Sequence, residues 1–590
     1  MNPTRPQLAG TFGMVASTHW LASAAGLAVL EGGGNAFDAA VATGFVLQVV
    51  EPHMNGPGGE VPIIFATAGS GRPTVLCGQG PAPAKATIEH YRGLGLTLIP
   101  GAGPLATAVP GAVEAWLTLL RDYGTRSLAD VLSYAIWYAE RGHPLSAHAV
   151  ETIGRVAQLF TEDWTTSAAL YLPGGNPPPA GALFANPALA RTYRRLVDAE
   201  AASAGGRERG IDAARTAWRD GFVAEAIDAF ARREFLHPDS SRFAGVITGD
   251  DIASFTASYE EPVSHSFRDV VVCKTQPWGQ GPVLLQQLAL LDGFDDATID
   301  PRTALGVHTA VEAAKLAFAD REAWYGDAFT PPMAALLAAG YTQSRRALIG
   351  DTASLDLRPG SPAGAAPRIP AVLSGAPSGA VGALGEPTVD RLGVVRGDTC
   401  HLDVVDRWGN IVSATPSGGW LQSSPVIDSL GFPLGSRLQM CWLEEGLPAS
   451  LVPGRRPRTT LSPTLVLRDG AAVLACGTPG GDQQDQWQTV FVLSHVVLGL
   501  DLQSSVEAAS WHSNAVPSSF YPRAANPGEL AVERRLGSPA ISELRRRGHR
   551  VVVADDWALG RLSAVSRDPG TGLLRAAADP RGRQGYAVGR

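Results

Sequence analysis

A segment rich in Pro, Gly, Ala and Ser, from about residue 352 to 388, constrains the fold more than any other feature of the sequence. This composition, TASLDLRPGSPAGAAPRIPAVLSGAPSGAVGALGEP, does not hold regular structure and indicates a linker. Before it, from about residue 110 to 350, apolar residues recur at helical spacing. After it, GDTCHLDVVDRWGNIVSATPSGG and TLSPTLVLRDGAAVLACGTPGG are typical of strand pairs joined by turns. The sequence therefore predicts a helix-rich part followed by a β-rich part that begins near Thr399.

The first part of the chain contains two predicted helices between residues 20 and 50. WLASAAGLAVLEGG ends on glycines, and NAFDAAVATGFVLQVV begins with Asn35, a residue type suited to cap a helix. Both helices are rich in alanine, so we expect them to pack closely. The glycine-rich loop EPHMNGPGGE follows, and VPIIFAT and PTVLCG are predicted to be short strands.

Composition excludes several classes of partner. The 590 residues carry a formal net charge of −8, and the arginines are scattered, so no basic surface for nucleic acid is expected. Five dispersed cysteines without CxxC spacing predict neither a disulfide scaffold nor a metal site, and no organic cofactor is indicated. No signal-peptide or membrane-spanning run is present, so we expect a soluble, cytoplasmic protein that acts on a small molecule without a membrane partner.

Thr399, at the first residue of a predicted strand directly after the linker, suggests a specific chemistry. A cut before it would leave a free α-amine beside a hydroxyl. The amine, with an ordinary pKa of about 7.7–8.0, can accept the hydroxyl proton at neutral pH, so one residue supplies both nucleophile and base. Taken by itself, a threonine at this position is also explained by its preference for strands.

Several segments together resemble the γ-glutamyltransferase family. They include GDTCHLDVVDRWGN, RTTLSPTLV, CGTPGGD, HWLASAAGLAVLEGGGNAFDAAVA and EPHMNGPGG, and the resemblance covers nearly the whole chain. It implies an N-terminal nucleophile hydrolase of the α+β class, a four-layer αββα sandwich, made as a precursor that cleaves itself. The break would fall between Asp398 and Thr399. Residues 1–398 and 399–590 would form a large and a small subunit, and two such pairs could assemble further.

The resemblance also assigns catalytic residues. Thr399 matches the nucleophile, and Ser417 stands where a threonine that supports the nucleophile's amine is more usual. Gly480 and Gly481 match the glycine pair whose N–H groups form the oxyanion hole, where one donor contributes about 2.7–4 kcal/mol in the transition state. The alternative for CGTPGGD is a plain turn between a strand and a helix. A phosphate-binding loop does not fit, since no GK[ST] follows.

Three positions depart from the family pattern in the part that binds the γ-glutamyl head group. Gln79 aligns with the arginine that holds the substrate α-carboxylate. Cys441 aligns with the acidic residue that holds the α-amine, and Gly419 replaces an asparagine that contacts the same amine. Because charge-assisted hydrogen bonds are among the stronger ones, their loss predicts that free glutathione binds poorly.

Other residues of the same pocket retain or add polar groups. Thr459 and Thr460 match a serine pair that touches the carboxylate, and they keep its hydroxyls. Arg458 beside them is new. Arg458 or Arg437 could anchor a differently placed anion, although a solvated arginine is the commoner role for such a residue.

Preserved machinery beside a rebuilt pocket favours a repurposed hydrolase in which water releases the acyl group. Relatives in the family include oxamate amidohydrolases, cephalosporin-type acylases and actinobacterial enzymes of 4-alkylproline antibiotic pathways that cleave a carbon–carbon bond. The last group suits a chain whose only lysines are at 85, 274 and 315, a bias typical of GC-rich genomes. Two alternatives stay open: an ordinary γ-glutamyltransferase or glutathione hydrolase whose anchors have moved, and an inactive homologue that serves as a binding protein.

Overall fold

The structure, a computed structural model, describes residues 3–237, 241–371, 373 and 399–590. Two seven-stranded sheets form its centre, and every neighbouring pair of strands in them is antiparallel. The first sheet contains, in spatial order, β1 (Leu8–Gly10), β22 (Leu574–Ala578), β21 (Ser563–Arg567), β17 (Ala471–Gly477), β16 (Thr464–Arg468), β11 (Val270–Lys274) and β10 (Val263–Phe267). The second contains β23 (Tyr586–Gly589), β2 (Gly13–Ser17), β12 (Leu402–Asp406), β13 (Ile411–Ala414), β3 (Val61–Ala66), β4 (Thr74–Gly78) and β9 (Ser258–Glu260).

Smaller sheets and helices surround this centre. The remaining strands are β5 (His143–Pro144), β6 (Leu183–Phe184), β7 (Glu234–Leu236), β8 (Arg242–Ala244), β14 (Val426–Ile427), β15 (Phe432–Pro433), β18 (Trp511–Ser513), β19 (Glu529–Glu533) and β20 (Arg550–Ala554). The helices of the described ranges are α1 (Trp20–Glu31), α2 (Ala36–Val50), α3 (Ile88–Gly93), α4 (Ala112–Tyr123), α5 (Leu128–Arg141), α6 (Ala147–Glu162), α7 (Thr165–Tyr171), α8 (Pro187–Ala202), α9 (Arg207–Arg219), α10 (Phe222–Ala231), α11 (Gly249–Ser254), α12 (Pro282–Leu291), α13 (Ala304–Trp324), α14 (Met333–Leu336), α15 (Ala339–Arg346), α16 (Gln484–Val492), α17 (Leu502–Val506) and α18 (Ser538–Arg546).

Apolar side chains of both large sheets meet in one buried cluster. Ile64 of β3 and Met14 of β2 belong to it together with Leu465 of β16 and Val565 of β21. The opposite face of the second sheet packs with α1, α2 and α4, and the opposite face of the first sheet packs with α12, α13 and α16. Because strand side chains alternate between faces, each sheet contributes to two apolar layers.

The pairing of α1 with α2 explains their small residues. A Cβ on Gly26 of α1 would lie 2.3 Å from Thr43 Oγ1 of α2, so a larger residue there would separate these two helices. On another side of α2, a Cβ on Gly44 would lie 2.5 Å from the Trp116 ring of α4. Asn35 caps α2 through a capping box with Asp38, which confirms the predicted cap. Every residue of α2 is buried, and its apolar residues accordingly surround the helix on all sides.

Several strands lie where the sequence predicts them, and others lie in the stretch predicted to be helix-rich. Strands β3, β4, β12, β13, β16 and β17 lie where they were predicted. The hairpin of β10 and β11 lies within the stretch predicted to be helix-rich, and it forms one edge of the first sheet. Its short runs, VSHSF and VVVCK, give too few residues for a clear period.

Both sheets contain strands from before Thr399 and strands from after it. In the second sheet β12 and β13 lie between β2 and β3, and in the first sheet β16 lies beside β11. The described residues before Thr399 and those from Thr399 onward therefore share one core. The described residues of the predicted linker include a short 3₁₀ turn, Pro362–Gly364, and residues 372 and 374–388 lie outside the described ranges. None of the five cysteines forms a disulfide, and all five are buried. Among the described helices none is long and apolar enough to cross a bilayer.

Candidate active site

Thr399 and Ser417 face each other just outside the β12–β13 hairpin. Asp406 accepts hydrogen bonds from the backbone N–H groups of three turn residues, and this turn returns the chain antiparallel. Thr399 and Ser417 form a further antiparallel bridge, which places the Thr399 Oγ1 atom 3.1 Å from the Ser417 Oγ atom. Both side chains are buried. Asp398, the residue predicted to precede the cut, lies outside the described residues.

A buried ion pair supports this hydroxyl pair. Arg437 Nη2 donates to Ser417 Oγ at 3.2 Å, and Arg437 Nε donates to Glu60 Oε1 at 2.6 Å. Burial raises the pKa of Glu60, and the charge of Arg437 opposes that rise. Because a guanidinium can only donate, Ser417 Oγ accepts from Arg437, while either hydroxyl can be the donor in the contact between Thr399 and Ser417. Sequence reasoning missed Glu60, although an acid directly after two glycines and before an apolar strand, GPGGEVPIIF, was a possible signal.

Glycines 418 and 419 allow two loops to meet backbone to backbone. Both residues have positive φ, 75° and 63°, and a Cβ on Gly419 would lie 2.9 Å from the Gly59 nitrogen. The structure therefore leaves no room for the asparagine side chain that the family pattern places at residue 419. The replacement is therefore part of the local packing.

Gly480 and Gly481 form the turn between β17 and the 3₁₀ turn that precedes α16. Their φ values are 125° and 53°, and a Cβ on Gly480 would lie 2.1 Å from the Trp487 ring. A Cβ on Gly481 would lie 2.9 Å from the Phe520 ring, so only glycine fits at either position. Neither N–H donates to a backbone carbonyl of the described residues.

The turn with these glycines lies next to the segment that leads from Thr399 into β12. At the end of β17, a Cβ on Gly477 would lie 2.3 Å from the ring of His401, two residues after Thr399. The His401 ring is itself held by Thr415 at 2.9 Å and by Asp403 at 3.0 Å. His401 therefore fills the space between the two sheets and keeps their adjacent ends in register.

The residues predicted to bind substrate are all buried. Gln79 Oε1 and Thr460 Oγ1 have no hydrogen-bond partner among the described residues. Thr459 is held through its backbone, and its hydroxyl accepts from the Leu461 N–H at 3.4 Å. Burial raises the pKa of the Cys441 thiol to about 12, so this position carries no charge at neutral pH.

Arg458, a predicted anion anchor, has a partner within the protein. Its Nη2 lies 2.9 Å from Glu322 Oε1, and Glu322 also pairs with Arg321 at 2.8 Å. Arg437, the other predicted anchor, pairs with Glu60 as described above. Both guanidinium groups are buried and neutralised by carboxylates, so neither offers the unpaired charge that an anion anchor requires.

Sequence reasoning missed a third buried arginine, Arg523. Its Nη2 donates to the carbonyl oxygens of Gln439 at 2.8 Å and Cys441 at 3.2 Å, and its guanidinium lies 4.2 Å from the centre of the Trp442 ring. Its Nε and Nη1 atoms have no hydrogen-bond partner in the described part of the chain. Burial, followed by the nearby charge of Arg458, lowers the pKa of Arg523 to about 9. Nothing in its local sequence, YPRAAN, distinguishes it from the other arginines.

One group of side chains has the spacing of a metal site. His308, Glu312 and His549 place ligand atoms within 4.8 Å of one another. However, His308 Nδ1 and His549 Nε2 share a hydrogen bond of 2.9 Å, and Glu312 pairs with Lys315 and Arg358. These two cations oppose a metal ion, so the group is a polar network of the core.

The paired sheets, the buried hydroxyl pair at the open end of the β12–β13 hairpin and the glycine turn after β17 are typical of N-terminal nucleophile hydrolases. The family model described as Gamma-glutamyltranspeptidase matches residues 22–589, and the chain belongs to this family. It is therefore an enzyme, made as a precursor that is processed into subunits.

Three similar proteins have names that bear on function. The solved structure of LmbA2991HD shares 57% identity, covers 100% of both chains and gives a TM-score of 0.95. The cephalosporin acylase from Bacillus halodurans shares 26% identity over 100% of this chain and 97% of its own, with a TM-score of 0.83. The glutathione hydrolase-like YwrD proenzyme of Bacillus subtilis (strain 168) is 30% identical over 98% of this chain and 99% of its own length.

Proposed function

We propose that the chain cleaves itself between Asp398 and Thr399, giving subunits 1–398 and 399–590, and that Thr399 is the nucleophile of the mature enzyme. The fold assigned to it is a four-layer αββα sandwich with the site between the two sheets. The single observation that carries the proposal is the 3.1 Å contact between Thr399 Oγ1 and Ser417 Oγ. Arg437, which pairs with Glu60, donates a hydrogen bond to Ser417 in this contact.

In the proposed reaction, the Thr399 hydroxyl attacks a substrate carbonyl and passes its proton to the α-amine released by cleavage. The N–H groups of Gly480 and Gly481 hold the oxyanion of the tetrahedral intermediate. The intermediate expels the leaving group, which takes the proton from the α-amine, and an acyl ester of Thr399 remains. Water then attacks this ester in the same geometry and frees the acid together with the threonine hydroxyl.

The substrate of this proposal is a small molecule without the γ-glutamyl head group. Gln79, Cys441 and Gly419 supply no charge to a zwitterion, and burial keeps Cys441 neutral. The bond broken is an amide or a carbon–carbon bond, and in the second case the departing carbon must be stabilised as an enol or enamine. We place the reaction in specialised metabolism, with 4-alkylproline antibiotic biosynthesis as the proposed setting. Identity of 57% with LmbA2991HD, against 30% with the glutathione hydrolase-like relative, supports a branch with its own substrate.

A second candidate is glutathione hydrolysis or γ-glutamyl transfer. The named function of the Bacillus subtilis relative favours it, and so do the hydroxyls of Thr459 and Thr460 at the carboxylate positions. Turnover of γ-glutamyl-p-nitroanilide discriminates between the two candidates, because our proposal expects turnover near background.

Intact mass spectrometry with amino-terminal sequencing tests the proposal directly. Freshly purified protein is expected to contain a small subunit that begins Thr-Cys-His-Leu-Asp. The Thr399→Ala variant is expected to remain one chain and to be inactive, Thr399→Ser to be cleaved slowly, and Cys400→Ala, the matched neighbour, to mature normally. A fragment with another first residue, or a mature Thr399→Ala protein, would falsify the assignment.

A further inference from the structure

The charges around Arg523 do not balance. Arg321, Arg458 and Arg523 lie together with two buried carboxylates, Glu322 and Asp482. Despite burial, the neighbouring arginines hold the pKa values of both carboxylates below their ordinary ranges, so both are ionised. Three cations therefore face two anions. An excess charge in a buried group is costly unless a ligand supplies the counter-ion.

The positive charge without a carboxylate partner among the described residues is that of Arg523. Glu322 pairs with Arg321 and Arg458, and Asp482 pairs with Arg321 and accepts from the Ser519 hydroxyl at 2.6 Å. In the ranges that the structure describes, Arg523 contacts no carboxylate, and its only hydrogen bonds are those of Nη2 to two backbone carbonyls. Three N–H bonds, one on Nε and two on Nη1, are therefore left for a ligand.

The position of Arg523 connects it with the catalytic groups. The carbonyls that it contacts belong to Gln439 and Cys441, at the end of the short helix Arg437–Met440. At the beginning of this helix, Arg437 donates to Ser417, the partner of Thr399. Three residues before Arg523, the Phe520 ring packs over Gly481. Arg523 thus lies beside Cys441, the residue that stands where the family pattern has an acidic one.

We infer that Arg523 binds a carboxylate of the substrate, so that this enzyme selects acyl groups that carry a carboxylate and no ammonium at that end. The inference rests on the proposed function of the same site. A guanidinium is suited to this role because it is weakly hydrated and forms strong hydrogen bonds with carboxylates. An ammonium group would instead meet Arg523 beside an uncharged thiol, which excludes a γ-glutamyl head group bound in the family manner.

Isothermal calorimetry on the mature protein tests the inference with simple probes. Glutarate has the carbon skeleton of the γ-glutamyl group without the amine, glutaramide is its uncharged analogue, and L-glutamate adds the ammonium. Glutarate is expected to bind wild-type protein at least tenfold more tightly than either of the other two. Arg523→Gln should weaken glutarate binding at least tenfold, and Arg523→Lys should retain part of it.

Arg346→Gln is the matched control. Arg346 also donates to two backbone carbonyls, those of Ala289 and Leu290, but it lies on α15, outside the site. Its replacement should leave glutarate affinity unchanged. Equal glutarate affinity in wild type and Arg523→Gln, or no glutarate binding by mature wild type, overturns the inference.

Cys441→Asp provides a test that leaves Arg523 in place if Arg523→Gln fails to fold. The added carboxylate should pair with Arg523 and abolish glutarate binding, and unchanged glutarate affinity in this variant overturns the inference. Calorimetry requires no turnover, so a failure of glutarate binding is separate from a failure of the catalytic proposal. The latter is determined by amino-terminal sequencing of the same sample.

Discussion

The two ends of the short helix Arg437–Met440 differ in how their buried arginines are neutralised. At its beginning, Arg437 has a carboxylate partner in Glu60 and supports Ser417 and Thr399. Near its end, Arg523 has hydrogen bonds to carbonyl oxygens and no carboxylate partner among the described residues. The first arrangement is complete in the free protein, as preorganised catalysis requires. The second becomes complete only when a ligand brings a negative charge, as a specificity pocket requires.

Removing the Glu60 carboxylate should leave Arg437 without a carboxylate partner among the described residues, as Arg523 already is, and we expect this change to have the largest effect on stability. Glu60→Gln leaves Arg437 buried and unpaired, so we expect the free energy of unfolding to fall by about 3–5 kcal/mol. Urea denaturation measures this change. The double variant Glu60→Leu/Arg437→Met should regain most of the loss, because it removes both charges.

Asp300→Asn is the control for Glu60→Gln, since Asp300 pairs with the exposed Arg302. Its effect on unfolding should stay below about 1 kcal/mol. If Glu60→Gln unfolds at the same urea concentration as wild type, the buried pair of Arg437 and Glu60 does not stabilise the fold.

Gly480→Ala should disturb the glycine turn after β17 without changing any charge. The added Cβ would lie 2.1 Å from the Trp487 ring, at a backbone φ of 125°, so the turn must move. Loss of one oxyanion donor costs about 2.7–4 kcal/mol, which predicts a 100- to 1,000-fold decrease in kcat. Steady-state kinetics on a substrate that wild type turns over measures it.

Gly499→Ala separates this effect from simple backbone strain. Gly499 also has a positive φ, 65°, but a Cβ there would meet no atom within 4 Å. We expect Gly499→Ala to lower stability slightly and to leave kcat unchanged. Wild-type kcat in Gly480→Ala would contradict the role of this turn.

Ser417→Ala should have a smaller effect, because Thr399 keeps its own amine as base. Removing the hydroxyl deletes one hydrogen bond to the nucleophile and one from Arg437. Bonds to charged groups contribute about 1.5–3 kcal/mol, so kcat should fall about 10- to 150-fold. Ser417→Thr should restore it, and cleavage before residue 399 should slow in parallel on denaturing gels. A Ser417→Thr enzyme as slow as Ser417→Ala would point to packing instead.

The sequence was sufficient to predict features that depend on neighbouring residues. The Asn35 cap and the strands on either side of the linker follow from local patterns, and the contact of Thr399 with Ser417 follows from one hairpin. The ion pair of Arg437 with Glu60 spans 377 residues, and the contact of Arg523 with Cys441 spans 82. Contacts between residues so far apart leave no pattern in the local sequence. Because the arginines of this chain are scattered, the sequence does not indicate which of them are buried in the site.

The smallest predicted effect concerns the other end of the helix and depends on pH. The pKa of Arg523 is lowered to about 9, chiefly by burial and next by Arg458, while Glu322, Cys441 and Asp482 act in the opposite direction. The guanidinium is a cation below that pH and loses its charge above it. KM for a carboxylate-bearing substrate should therefore rise above about pH 9, by at most about tenfold per pH unit, the slope of one titrating group.

The stability of the ligand-free protein should show the opposite trend. When the chain unfolds, the pKa of Arg523 returns to its ordinary, higher value, so above about pH 9 the unfolded chain binds more protons than the folded one, and this residue favours folding more as pH rises. Melting temperatures of wild type and Arg523→Gln, measured from pH 8 to 10 with and without glutarate, test both trends. Glutarate should raise the melting temperature of wild type below pH 9 and lose this effect above it, while Arg523→Gln shows neither response. A glutarate effect that is independent of pH, or equal in the variant, would assign the anion to a different residue and remove the contrast between the two ends of the helix.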